Sequence, residues 1–255
     1  MLLLLALVAA VPAPAPAQGL TIAAASDLQS VMPIVADRFE QATGQTVTVT
    51  FGSSGNFFSQ IQNGAPFDLF FSADIDYPRR LAADGLVEPG SITLYAIGRL
   101  VLWARRASTL DVARGLQTLL DPRVRRVAIA NPETAPYGRA AVAALRHAGL
   151  YDRVRPKLVL GENVAQAAQF VDSGNADAGL IAESLALDPR LRDRGVSHEI
   201  PAGDYPPIEQ AAAIVQASSR KPAARAFLAF LRTPAIVRLM QTYGFTAGAA
   251  VDGAR

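Results

Sequence analysis

The chain contains no cysteine and only two histidines among its 255 residues. Without cysteine there is no disulfide, no thiolate nucleophile and no lipid-modified cysteine anchor. Two separated histidines without cysteine argue against a zinc centre and leave little for general acid–base chemistry. His147 falls in the last turn of an expected helix, where an imidazole suits the helix dipole, and His198 lies in a polar stretch. Both read as structural. Charge is also sparse, at 18% of residues with a net charge of +2. Arginines are scattered, and the densest group (Arg123, Arg125, Arg126) reads as a solvated loop, so no nucleic-acid surface is expected. Past the N-terminal segment, no apolar run has the length of a transmembrane helix.

What is present is a hydrophobic fraction of 51%, with Ala very common. That suits a packed α/β protein of one large domain or two lobes. Residues 1–17 read as a secretory signal: Leu2 to Val11 is too short to span a bilayer, and Ala15-Pro16-Ala17 supplies a small-x-small cleavage pattern before Gln18. No Lys or Arg stands ahead of its apolar run, which fits either a true start further upstream or an atypical signal. The mature protein is expected to be exported and soluble.

Hydrophobic periodicity then alternates between two and 3.6 residues. Residues 20–24 form a buried strand, and a helix follows from Leu28 until Gly44 caps it. Strands at 46–51 and 68–72 enclose a helix at 55–62, and Asp76 with Pro78 opens another. Strand–helix–strand order implies parallel pairing through crossovers. A β-like run at 93–104, interrupted at Gly98, is a candidate crossing between lobes. The alternation restarts with strands at 127–130, 157–160 and 178–182 and helices at 136–147 and 164–171. After Pro206-Pro207, the run 211–215 reads as the return crossing, followed by helices at 222–231 and 234–243. Residues past Ala247 read as a frayed tail.

One local arrangement recurs: a strand, then small hydroxylic or Gly/Pro residues, then a helix. It occurs at Ile22–Leu28, at Phe51-Gly52-Ser53-Ser54-Gly55-Asn56, at residues 131–138 and at Gly161-Glu162-Asn163-Val164. Helix N-termini present free N–H groups and the positive end of a dipole, so they favour anions. Four such ends with no catalytic cluster beside them suggest a receptor that closes around a small anion. Each also has an ordinary reading. Ser26-x-x-Gln29 is a capping-box pattern, Ser53-Ser54 fits a plain strand-to-helix turn, and Asp27 suits a helix first turn. Gly52-Ser53-Ser54-Gly55 is neither a Walker loop nor a nucleophile elbow, because no Gly-Lys-Ser/Thr follows and Asn56 stands where an elbow needs Gly. Asp74 and Asp76 are close in sequence, but the second is explained as a helix cap.

Jointly, Ala23-Ala24-Ala25-Ser26-Asp27-Leu28, Phe51-Gly52-Ser53-Ser54-Gly55, residues 64–74 (GAPFDLFFSAD), residues 128–140, Pro156-Lys157-Leu158 and Tyr243-Gly244-Phe245 resemble the periplasmic molybdate-binding proteins of ABC importers. These segments stand in the family's order and span nearly the whole mature chain. The resemblance implies a two-lobed α/β periplasmic binding protein of type II, each lobe a mostly parallel sheet flanked by helices, with the ligand in the cleft. Lobe 1 is expected at residues 18–96 with 212–255, and lobe 2 at 97–211. The implied function is capture of molybdate, and of tungstate, for delivery to the membrane permease of an ABC importer. No cofactor, enzymatic activity or nucleic-acid partner is expected, and the protein is expected to be a periplasmic monomer, cleaved near Ala17.

In that family the oxyanion is held by serine hydroxyls and backbone N–H groups, with nothing bonded directly to the metal. Ser26 and Ser54 match the two binding serines, and Tyr137 and Val164 match positions that donate backbone N–H groups. Many members carry a binding Tyr where this chain has Ala182. Losing one charge-assisted hydrogen bond, worth roughly 1.5–3 kcal/mol, would weaken binding about tenfold or more unless another group, such as Tyr137, replaces it. Glu183 is expected to face away from the cleft. A site built wholly of donors suits the fully deprotonated molybdate, tungstate or sulfate, whereas protonated phosphate calls for an acceptor, for which Asp27 is the candidate. The alternatives are a receptor for sulfate or phosphate and, remotely, an exported hydrolase using Ser54 or Ser26.

Overall fold

The computed structural model describes residues 19–246; the expected signal segment, its cleavage point and the C-terminal tail lie outside them. Ten strands form two sheets of five. The first contains β1 (Leu20–Ala25), β2 (Val47–Gly52), β3 (Leu69–Ser72), β4 (Thr93–Gly98) and β10 (Ile208–Ile214), in the order β2-β1-β3-β10-β4. The second contains β5 (Leu100–Arg105), β6 (Val127–Ala130), β7 (Leu158–Gly161), β8 (Ala178–Ala182) and β9 (Gly195–Glu199), in the order β7-β6-β8-β5-β9. The orders are equivalent. In each sheet three parallel strands are joined by one opposed strand, β10 or β5, and a fifth pairs antiparallel to that one. Four of five strands therefore share a direction in each lobe.

The first sheet is covered on both faces. Phe70 and Phe71, adjacent in β3, fall in different apolar clusters because successive side chains point to opposite faces. One face packs on α1 (Met32–Thr43), α8 (Lys221–Leu231) and α9 (Pro234–Thr242), with Phe39 edge-on to Phe227 at 5.0 Å. The other packs on α2 (Ser54–Gln62) and α3 (Asp76–Ala83) through Phe57, Phe58 and Leu81. A strand buried on both faces has no polar alternation, which is why β1 reads Leu-Thr-Ile-Ala-Ala-Ala; edge strand β2 alternates half-buried with exposed positions over residues 47–50. In α1, Met32, Val35, Ala36 and Phe39 supply the buried stripe, and Gly44, at φ 72°, closes the helix in the left-handed conformation. The second sheet carries one large cluster around Trp103, flanked by α4 (Pro136–His147), α6 (Val164–Asp172) and the short helices α5 (Tyr151–Val154) and α7 (Glu183–Ala186).

The chain leaves the first sheet after Gly98 and enters the second at Leu100; it re-enters the first at Ile208, two prolines after Tyr205. Gly98 is glycine for a packing reason. A Cβ there would sit 2.2 Å from the Tyr137 hydroxyl and 2.8 Å from Gln210 Nε2.

Candidate functional site

Parallel sheets present their strand C-termini, and the helix N-termini that follow, to one crevice. Here the two crevices face each other. From the first sheet come Ser26, directly after β1, and Ser53-Ser54, directly after β2; from the second come the N-termini of α4, after β6, and α6, after β7. Ser26, Ser54, Tyr137 and Val164 line one cavity between the lobes, together with Asp27, Ser53 and Asn163. It is nearly shut, about 10 Å³, close to the lower bound for a single water. Larger grooves flank it on either side, of about 520 and 450 Å³.

The local folding differs from the capping reading of the sequence. Residues Ser26–Ser30 form a 3-10 turn ahead of α1, and Ser26 caps nothing of its own. Its Oγ instead accepts from Ala165 N of the other lobe at 3.3 Å. At the second serine pair the cap is Ser53, whose side chain accepts from Asn56 N at 3.3 Å. Ser54 is thereby left to the cavity, fully buried, its Oγ accepting from Ala73 N at 3.0 Å. A hydroxyl carries one donor and two lone pairs. Both serine oxygens are pinned by backbone N–H groups, and neither hydroxyl donates to a protein acceptor among the described residues. Their protons remain for a ligand.

Tyr137 and Val164 stand in the first turns of α4 and α6, where N–H groups lack intrahelical partners. Pro136 opens α4 at a position that needs no N–H, and Asn163 caps α6 by accepting from Gln166 N at 3.0 Å. No Lys or Arg lines the cavity; its positive character comes from two helix ends and two hydroxyls. Ala182 ends β8 and is buried away from the cavity. The Tyr137 hydroxyl points to Gly98 and stands 3.5 Å from Gln210 Nε2. Glu183 turns to Arg99, 3.9 Å away, and does not line the cavity.

Sequence reading alone misses what lies beneath. Asp27 is fully buried, and its Oδ2 accepts from Gln210 Nε2 at 2.7 Å. The Tyr95 hydroxyl donates to Gln210 Oε1 at 2.9 Å, which fixes the amide with its NH₂ towards Asp27. Ser184 of lobe 2 donates to the Asp27 carbonyl at 2.7 Å. Burial pushes the Asp27 carboxyl up to about 7, against the opposing effects of the Tyr137 hydroxyl, the Gln210 amide and the N–H groups of Asp27 and Leu28. The lobes also touch directly at the cavity rim. Gly55 N donates to Thr134 O at 2.8 Å, Asn56 Nδ2 to Glu162 Oε1 at 3.1 Å, and Arg139 pairs with Asp74 while donating to the Tyr77 hydroxyl at 3.2 Å. Asp76 does not cap α3 but stands at its first position after Ile75, its N–H donating to Asp74 Oδ1 at 2.8 Å.

The family model for bacterial extracellular solute-binding proteins matches residues 20–246. The chain belongs to that family. Its members are receptors rather than enzymes, which removes the hydrolase alternative. This solute-binding protein is 37% identical over 241 residues to the molybdate-binding protein ModA of Rhodobacter capsulatus, covering 94% of this chain and 93% of that one. It is 38% identical over 224 residues to the ModA of Azotobacter vinelandii, covering 88% of each chain. The solved structure of the periplasmic molybdate-binding protein of Azotobacter vinelandii superposes with a TM-score of 0.85 at 34% identity, covering 90% of this chain and 100% of that one. Among the described residues no helix is long and apolar enough to cross a membrane.

Proposed function

We propose that this solute-binding protein captures molybdate, with tungstate as a second ligand, and delivers it to the permease of an ABC importer. The observation that carries the reading is the donor set: two buried serine hydroxyls with unspent protons opposite two helix N-termini, with no basic side chain. An oxyanion without protons only accepts, so it fits such a set. Ser26 and Ser54 donate hydroxyl protons; Tyr137 and Val164 donate backbone N–H groups. Relatives that carry molybdate-binding in their names support the choice of ion.

The lobes are taken as residues 18–96 with 212–255, and 97–211. The chain crosses between sheets after Gly98 and before Ile208, within four residues of those bounds, which leaves Ile97, Gly98 and residues 208–211 with the first sheet. A four-oxygen anion does not enter a cavity the size of one water, so loading requires the lobes to part about those crossings. The chain is further proposed to be exported by residues 1–17, cleaved near Ala17, and to act as a monomer.

The test is calorimetric titration with molybdate, tungstate, sulfate and phosphate. One-to-one molybdate binding that sulfate and phosphate do not match is expected. Ser26→Ala and Ser54→Ala should each weaken it by about tenfold or more, from the loss of one hydrogen bond to a charged group. Unchanged titrations for both variants would remove these serines from the site.

A further inference from the structure

Asp27 is the one carboxyl group in the lining of a cavity whose other polar groups include the serine hydroxyls and helix N-termini that suit an anion. It is fully buried, forms no ion pair among the described residues, and its Oδ1 has no hydrogen-bond partner. The Tyr137 hydroxyl and the Gln210 amide beside it favour the ionised carboxyl, against the larger effect of burial. A buried negative charge beside a bound dianion would meet like-charge repulsion in a site that excludes water, with no Lys or Arg in the cavity lining to offset it. We propose that Asp27 takes up a proton when the dianion binds, so that this receptor loads its ligand together with one proton on its own carboxyl. The inference rests on the oxyanion reading above and deepens it.

The surroundings fit a neutral carboxylic acid. Gln210 Nε2 donates to one oxygen, Oδ2, leaving Oδ1 free to carry the proton. Burial and the nearby Asp27 charge raise the Tyr95 and Tyr137 hydroxyls well above their ordinary value, so neither changes charge in the working range. From α7, Glu183 faces Arg99 rather than Asp27, and from α6, Asp172 is paired with Arg194 at 3.0 Å. At the rim, Glu162 accepts from Asn56 Nδ2 and Asp74 pairs with Arg139, and among the described residues Asp27 is the one carboxyl in the cavity lining. The raised carboxyl within the closed cleft points the same way, because a dianion next to it pushes further in that direction.

The experiment is titration of the whole mature protein with molybdate at pH 8.5, in two buffers of different ionisation enthalpy. The difference in apparent enthalpy reads protons exchanged. Uptake of about one proton per molybdate is expected, with affinity falling about tenfold between pH 8 and 9 as linkage requires. Asp27→Asn should show no uptake and a flat affinity, so its advantage over the native protein grows about tenfold per pH unit over that interval. Molybdate binding with no proton uptake by the native protein would overturn the proposal, and that measurement needs no variant. Phosphate preferred over molybdate without uptake would also overturn it, since Asp27 would then accept the ligand's own proton. No molybdate binding at any pH, with sulfate bound and a proton taken up, would instead refute the choice of ion and leave the role of Asp27 standing.

Discussion

Gly98 shows how one missing side chain serves the cleft. It ends β4 at the outgoing crossing, and the space its Cβ would fill is held by the Tyr137 hydroxyl of lobe 2 and the Gln210 amide of the return strand. Gly98→Ala therefore forces apart the two crossings and α4 at once. Overpacking of this kind costs about 1–3 kcal/mol, and the closed form bears it because the lobes converge there. Molybdate affinity should fall about tenfold, with a lowered melting temperature. Adding Tyr137→Phe, which removes the oxygen at 2.2 Å, should recover part of the loss. A double variant no better than Gly98→Ala would mean that the glycine serves the backbone of β4 rather than the approach of Tyr137.

At the level of elements, the closed cleft is held by pairs reaching from one helix end to another. Arg139, on the first turns of α4, spans to Asp74 before α3 and to Tyr77 within it. Its side chain is 40% exposed and that of Asp74 24%, so solvent screens the pair. A contribution of about 0.5–1 kcal/mol follows. Arg139→Ala should weaken molybdate binding roughly two- to fivefold at low salt, mainly through faster release, and salt should shrink the difference. Equal dissociation rates in stopped-flow at low salt would show that the pair does not latch the lobes. The elements carrying the serines and N-termini were legible because buried strands and capped helices leave strong periodic signals; α4 runs over Pro136–His147 as its pattern indicates. Less regular pieces were not. Edge strand β9 is mostly polar along its length, and the 3-10 segment Val112–Leu120 is kinked at Gly115. The site was legible only at its rim. Ser26 and Ser54 sit in recognisable turns, but the Asp27–Gln210 bond joins residues 183 positions apart. Local pattern therefore gave Asp27 the role of a helix acid, and only the return of β10 beside β3 reveals its partner.

Across the whole molecule, each sheet has its own apolar core, the second reaching only Ala25 and Ala73 of the first lobe, and polar bonds such as Gly55 N to Thr134 O join the lobes at the cleft. Interfaces of that kind permit relative motion. The equivalent strand orders place both sets of helix N-termini at the same opening, so the cleft gathers several aligned dipole ends and free donors. That arrangement gives closure little driving force by itself and a strong one once an anion bridges the donors. A ligand that binds only the assembled cleft stabilises the fold by mass action, by about 2.7 kcal/mol at a hundred times its dissociation constant. For a protein of this size that corresponds to a rise of roughly 5–10 °C in melting temperature. Scanning calorimetry with and without molybdate should show the rise, and the radius of gyration in solution scattering should fall on binding as the lobes close. A raised melting temperature with an unchanged radius would mean that the empty protein is already closed. The ligand would then enter through transient openings too rare to alter the average shape, and association would be limited by the opening rate rather than by diffusion.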